Sequence, residues 1–152
     1  MAETRWLAEH ELQAWRNLNL MYNQLSGFLA RELAGSGLSY PDYLVLALLS
    51  DQPDQRVRPS EMGCLLGWEK SRVSHHLARM ERRGLVERER CPTDQRGWFI
   101  ALTDAGRAAI SAAAPEHVSA VRRHAIELLT DDEIATLDRI CRKILNELPR
   151  RD

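Results

Sequence analysis

Residues 68–86 read WEKSRVSHHLARMERRGLV, and this stretch decides the fold. Val73, Leu77 and Met80 recur at three- and four-residue steps, the spacing of one helix face. Opposite them on a helical wheel lie Ser71, His75, Ala78, Arg79 and Arg82, flanked by Arg72 and Ser74, with no acid at the centre. Gly84 offers a left-handed stop, so the spacing predicts a helix over 69–83. Beyond it the period shortens to two. Residues 85–90 and 98–102 read as strands, and 91–97 between them, with Pro92, Asp94 and Gly97, reads as a long loop with a basic tip. Upstream, Pro59 suits the first turn of a short helix carrying Met62, Leu65 and Leu66 and closed by Gly67. Two short helices, a turn, a basic helix and a β-hairpin make a winged helix-turn-helix. Such a helix fits the major groove, whose width of about 12 Å admits one α-helix and lets its polar side chains face the base edges.

The flanks are helical. Leu18, Tyr22, Leu25, Leu29 and Leu33 form a stripe within a helix predicted over 6–34, which the Gly35-Ser36-Gly37 run ends. Ser39 is placed to cap a second helix, apolar nearly all round and therefore buried; Pro41 is tolerated in its first turn. Residues 51–54, with Pro53, form a loop. Thr103 caps a fifth helix running through Ala114, where Pro115 is expected to kink or interrupt it before a further stripe of Val118, Val121, Ala125 and Leu128. Thr130-Asp131-Asp132-Glu133 is a capping box opening the last helix. Ile134, Leu137, Cys141, Ile144 and Leu148 follow at alternating three- and four-residue steps, a short a/d seam.

Composition agrees with one globular domain. The chain has 152 residues, 44% hydrophobic and 28% charged, with no apolar run near the ~20 residues that span a bilayer. Residues 1–10 lack the apolar core of a signal peptide, so a cytoplasmic location without membrane attachment is expected. The formal net charge is −1, which by itself argues against nucleic acid. Its distribution reverses that argument. Between Lys70 and Arg96, eight Lys and Arg face four acids, a local net of +4 inside an otherwise acidic chain. A phosphate backbone attracts such a segment.

Residues 65–90 resemble the recognition helix of the MarR family and its R-G-L-V exit into the wing. Asp94-Gln95-Arg96-Gly97 is similar to the family's D-x-R-[GA] wing motif, and Leu102-Thr103-Asp104-Ala105-Gly106 to its L-T-x-x-G. The resemblance covers residues 38–106, with both flanks matching by helix pattern only. It implies a mainly α protein with a small β-hairpin wing, one domain over 1–152. In it, 38–114 form the winged helix-turn-helix, and 1–37 with 115–152 supply the dimerisation helices. It also implies a transcriptional regulator, a homodimeric repressor on a pseudo-palindromic double-stranded DNA operator, released by a small aromatic or lipophilic effector. No cofactor and no metal are expected, since no Cys/His or carboxylate cluster has ligand spacing.

The expected DNA-contacting residues are Lys70, Ser71, Arg72, Ser74, His75, Arg79, Arg82 and Arg90, with Asp94 and Arg96 in the wing. Ser71 and Ser74 sit near the helix N-terminus, where backbone amides favour a phosphate. Arg72 and His75 are placed to reach bases, Arg79 and Arg82 to reach phosphates. The resemblance implies that Arg96 enters the minor groove, where a narrow groove deepens the negative potential, and Asp94 is suited to aim it. Trp15, Tyr22, Tyr40 and Tyr43 are the expected lining of an effector pocket.

Blander readings stand beside these. A basic helix face is often merely solvated. His75 and His76 point ~100° apart and cannot chelate one ion together. Cys64 and Cys141 read as small buried hydrophobes, whereas Cys91, beside Arg90, is a candidate redox thiol. A protein-binding winged helix is the alternative class, disfavoured because such a face is expected to carry apolar anchors. No nucleophile–base motif, phosphate loop or paired carboxylate supports an enzyme.

Overall fold

The computed structural model describes residues 4–91 and 94–149, the side chains of 94–96 excepted. Helix α1 (Glu9–Leu33) leads through a 3-10 turn (Ala34–Ser36) to Gly37, whose left-handed φ of 75° reverses the chain. Ser39 then caps α2 (Tyr40–Ser50): its hydroxyl accepts from the Asp42 amide while the Asp42 carboxylate accepts from the Ser39 amide. Strand β1 (Arg56–Val57), α3 (Pro59–Leu66) and α4 (Lys70–Arg82) follow, then β2 (Val86–Cys91) and β3 (Asp94–Leu102). Helix α5 (Asp104–His124), a 3-10 turn (Ile126–Leu128) and α6 (Asp131–Glu147) complete the described chain.

The core lies between α2, α3, α4 and the sheet. Leu46, Leu49, Met62, Met80, Ile100, Val45, Val57, Val73 and Val86 are fully buried there. The inward stripe of α4 is therefore what holds the recognition helix to the body. Its side chains remove apolar surface worth roughly 1.5–3 kcal/mol each when fully buried.

Three expectations need correction, and one gains a strand. The hairpin wing is present as β2 and β3, and β1 also pairs with β3 through Arg56↔Ala101 and Val57↔Ile100, giving an antiparallel sheet of order β1-β3-β2. Two residues are too few to show a period of two, so the sequence pattern could not reveal this edge strand. The loop expected over 91–97 is mostly strand, because β3 already begins at Asp94 opposite Cys91, with a register shift after Arg90. Pro115 does not interrupt the fifth helix, which runs from Asp104 to His124. Proline there forfeits one backbone bond, and buried Ala113, His117 and Ala120 around it keep the helix packed. Cys64, finally, is exposed, because α3 turns Met62 and Gly63 inward instead.

The two motif strings meet in space. The Thr103 hydroxyl accepts from the Gly106 amide (2.9 Å) and donates to the Gly84 carbonyl (2.7 Å), tying the start of α5 to the exit from α4. Gly84 has φ 71°, the left-handed stop expected of it. Gly106 is packed so closely that a Cβ would collide with the Leu85 carbonyl and press on the Leu102 side chain. A backbone oxygen cannot swing aside as a flexible side chain does. Gly106→Ala is accordingly expected to destabilise the fold by about 1–3 kcal/mol. Urea unfolding of the variant checks this: the midpoint should fall at unchanged slope, and an unaltered midpoint would refute the close approach.

Candidate nucleic-acid interface

Helix α4 is divided lengthwise. Val73, His76, Leu77 and Met80 are buried, while Lys70, Ser71, Arg72, Ser74, His75, Arg79 and Arg82 are exposed. The exposed group contains four cations and no acid along one face; the only acid within the helix, Glu81, pairs with Arg88 of β2 (3.3 Å). Helix and sheet thus present one polar, basic surface, with Arg90 also exposed and its guanidinium 5.5 Å from the Trp98 ring centroid. The backbone of Asp94 and Arg96 belongs to β3, opposite the end of β2; their side chains lie outside the described residues.

Several side chains that build this surface carried no sequence signal. Arg72 lies over the buried indole of Trp68, its guanidinium carbon 4.2 Å from the ring centroid, a cation–π seat for an exposed side chain. Arg83, also basic and exposed, instead reaches across to the start of α2: its Nη1 is 2.6 Å from Asp42 Oδ2 and its Nη2 donates to the Gly37 carbonyl at 2.8 Å. Asp42 is only 2% exposed. Burial pushes its carboxyl upward, but Arg83 and the Ser39 hydrogen bonds outweigh that and hold it below the usual carboxylate range. A pattern of types cannot show which arginine is claimed by a buried acid 41 residues away.

The cation beside Cys91 is also not the expected one. Arg58 Nη2 lies 3.3 Å from the Cys91 sulfur, and Arg58 and Arg56 both flank the Phe99 ring, whereas Arg90 is engaged with Trp98. The Cys91 thiol is buried, not displayed. Cys141, expected to be buried, is exposed on α6 of the single chain.

The expected effector residues are scattered. Tyr40 and Tyr43 gather round His117 of α5, at ring-centroid distances of 6.0 and 4.1 Å. Burial, with Tyr22 adding to it, pushes the Tyr40 phenol up. Tyr22 and Trp15 are themselves largely exposed on α1. None of the four lines either of two concavities: one of about 470 Å³ against α1, floored by Leu25, Phe28 and His124, and one of about 620 Å³ between α3, α4 and the wing, lined by Cys64, Trp68, Leu77 and Trp98. Among the described residues no group of His, Cys, Asp and Glu could hold a metal ion, and no helix is long and apolar enough to cross a membrane.

A two-sided helix packed by its apolar stripe onto a small body, its cationic face left to solvent beside a three-stranded wing, is the arrangement of a winged-helix DNA-binding regulator. The description of the MarR family fits residues 36–97. The HTH-type transcriptional regulator MgrA of Staphylococcus aureus is 35% identical over 112 residues, 72% of this chain and 71% of that protein. AbsC, a MarR family transcriptional regulator from Streptomyces coelicolor, superposes with a TM-score of 0.89 at 38% identity, over 94% of this chain and 97% of its own. A second regulator of that family and organism, solved in complex with DNA, gives 0.88 at 36% identity over 93% and 89%. This chain belongs to the MarR family, and it is a transcriptional regulator, not an enzyme.

Two buried histidines make the fold sensitive to acid. Burial lowers the pKa of His117, whose Nδ1 has no hydrogen-bond partner among the described residues. Burial also lowers that of His76, with Asp42 opposing and Arg79 and Arg72 reinforcing the shift. A depressed folded pKa means that the unfolded chain takes up protons first, so stability holds above about pH 6.5 and is lost as the pH falls below it. His117→Phe, which keeps an aromatic ring against Tyr43, should narrow the gap between urea midpoints at pH 7.5 and pH 5. An undiminished gap would locate the acid sensitivity elsewhere.

Proposed function

We propose that the protein is a homodimeric repressor that binds a pseudo-palindromic operator and is released by a small aromatic or lipophilic effector. The exposed basic face of α4 supports the DNA side of this reading. Ser71, Arg72, Ser74 and His75 lie toward its N-terminal half, where a recognition helix meets base edges; Arg79 and Arg82 lie toward its other end, suited to phosphates. Lys70 and Arg90 extend the cationic edge, and Arg96 at the wing, with Asp94 to aim it, is assigned to the minor groove.

The dimer is supported by what the single chain leaves uncovered. No residue of α6 is buried, and Leu137, Ile140, Ile144, Leu145 and Leu148 are all at least 43% exposed. Trp15, Leu18, Leu20, Met21 and Tyr22 add exposed apolar surface on α1. Exposed apolar helix faces of this kind mark an interface, and a second copy pairs like with like about a two-fold axis. The half-sites would then lie about one helical turn apart, roughly 10 bp.

Tyr40, Tyr43 and His117 join α2 to α5, so an effector that parted these rings would act on the spacing of the two recognition helices, through different affinity for their two arrangements. A thiol-based reading through Cys91 requires the wing to open first, since the sulfur is buried against Arg58. The protein-binding alternative finds no apolar anchor on the exposed face of α4.

Selection of duplexes from a randomised library by the full chain tests the DNA reading. The recovered sites should be two-fold symmetric, and log affinity should fall with log salt at a slope of about −0.9 per phosphate neutralised. Arg72→Ala should relax preference inside the half-site and Arg96→Ala only in its flanks, each at a cost of about 1–3 kcal/mol. Identical preference changes for the two would undo the assignment of helix and wing. In sedimentation the wild type should run above its 17.4 kDa chain mass, and Glu at both Leu137 and Ile144 should return it to that mass. A wild type already at 17.4 kDa would rule out the dimer.

A further inference from the structure

We propose that Asp42 is a positioning residue for DNA recognition: from the N-terminus of α2 it holds the recognition helix in its binding attitude by gripping Arg83 just beyond the end of α4 and His76 in its middle. The inference rests on the reading of the chain as a DNA-binding dimer.

The geometry is specific. One carboxylate oxygen, Oδ2, takes the Arg83 guanidinium at 2.6 Å and the Ser39 amide at 3.0 Å. The other, Oδ1, lies 3.0 Å from His76 Nε2, oblique to the ring N–H, so the contact is electrostatic more than an aligned hydrogen bond. Both partners belong to the recognition helix or its C-cap. The same helix is otherwise held by Val73, Leu77 and Met80, apolar contacts that resist separation but set rotation and sliding only loosely. One short ion pair to Arg83 and one close contact to His76, both from the same buried carboxylate, define both. The grip also reaches the outward face. His76 meets the Trp68 ring edge-on with centroids 5.3 Å apart, and Arg72 lies on that indole. A shift at His76 therefore moves the platform on which Arg72 sits.

Because His76 titrates, the grip should respond to pH. The charged groups facing it are Asp42 from α2 and Arg72 and Arg79 on its own helix, with Arg83 sharing the Asp42 carboxylate and the uncharged Trp68 covering one edge. In free protein burial first, and then Arg79 and Arg72, oppose an imidazolium. Once phosphates neutralise the two arginines on DNA, their part of that opposition falls, while Asp42 still favours the cation. Protonation and DNA binding should then reinforce each other, so affinity for either duplex rises as the pH falls through the His76 titration.

The test uses full-length protein with two duplexes: one recovered by selection from a randomised library, and a randomised duplex of the same length. Its readout is the ratio of the two affinities, which a loss of folded protein alone leaves unchanged. Asp42→Asn keeps the size and removes the charge. In dimers that sediment as wild type, the ratio should fall about tenfold, the scale of one buried charge contact. Affinity for the randomised duplex should persist, because phosphate contacts remain. The His76 ring titration, followed by NMR, should move to lower pH without the carboxylate. His76→Gln, a milder change that still answers if Asp42→Asn does not fold, should lower the ratio less and abolish the rise of affinity at acid pH. An unchanged ratio in folded Asp42→Asn dimers, or an unchanged ratio and pH dependence in His76→Gln, overturns the proposal. A wild type that selects no duplex overturns the DNA reading itself, and is told apart because it fails before any variant is made.

Discussion

A carboxylate with almost no solvent must be met by cations and N–H donors, or it forces its surroundings apart. Asp42 is such a group, and the arrangement of the DNA-facing half of the molecule depends on how it is met. Ser39 anchors it to the start of α2, Arg83 draws in the residue that closes α4, and His76 brings up the middle of that helix. Arg83 in turn reaches back to the Gly37 carbonyl, at the turn where α1 gives way to α2. Four residues thus link the end of the first long helix to the recognition helix. Removing one partner would leave a buried charge uncompensated, so the link behaves as a unit and not as a set of independent contacts.

Charge on the outer surface is divided by task. Of the cations around α4, Arg83 is held by Asp42 and Arg88 by Glu81, both structural pairings. Arg72 is propped on Trp68, and Arg90 lies near Trp98. An arginine on an indole keeps its planar fork exposed and oriented, with less side-chain freedom left to lose on binding. Lys70, Arg79 and Arg82 stand at the solvent edge, where their value is long-range attraction. This division lets a chain of net charge −1 present a cationic face without an excess of basic residues.

The apolar surfaces of α1 and α6 show the opposite economy. Both helices are amphipathic, but the single chain buries only Leu29 and Leu33 of α1 and nothing of α6. A helix of 17 residues opened by a strong capping box can form locally, yet its stripe lowers the free energy only when something covers it. The pairing that the family relationship suggests would give that stripe its partner and fix the distance between two copies of α4.

The helix with two faces, its stop at Gly84, and the caps at Ser39, Thr103 and Thr130 are legible in the residues alone, and with them the winged-helix class. Each of these is a local signal, read within three or four residues by backbone hydrogen bonding or by the helical period. The limits of such signals are equally local. The two-residue strand Arg56–Val57 is too short to carry a period, and whether Pro115 breaks a helix depends on packing from outside it. Exposure of Cys64, burial of Cys91 under Arg58, the pairing of Arg83 with Asp42, and the seat of Arg72 on Trp68 emerge only when the elements pack. In each, the deciding atom lies on another element, or on a turn of chain whose direction the packing sets. Asp42 is the clearest instance: in sequence it is a capping residue beside a proline, and only the approach of α4 makes it a buried charge between two cationic or protonatable groups.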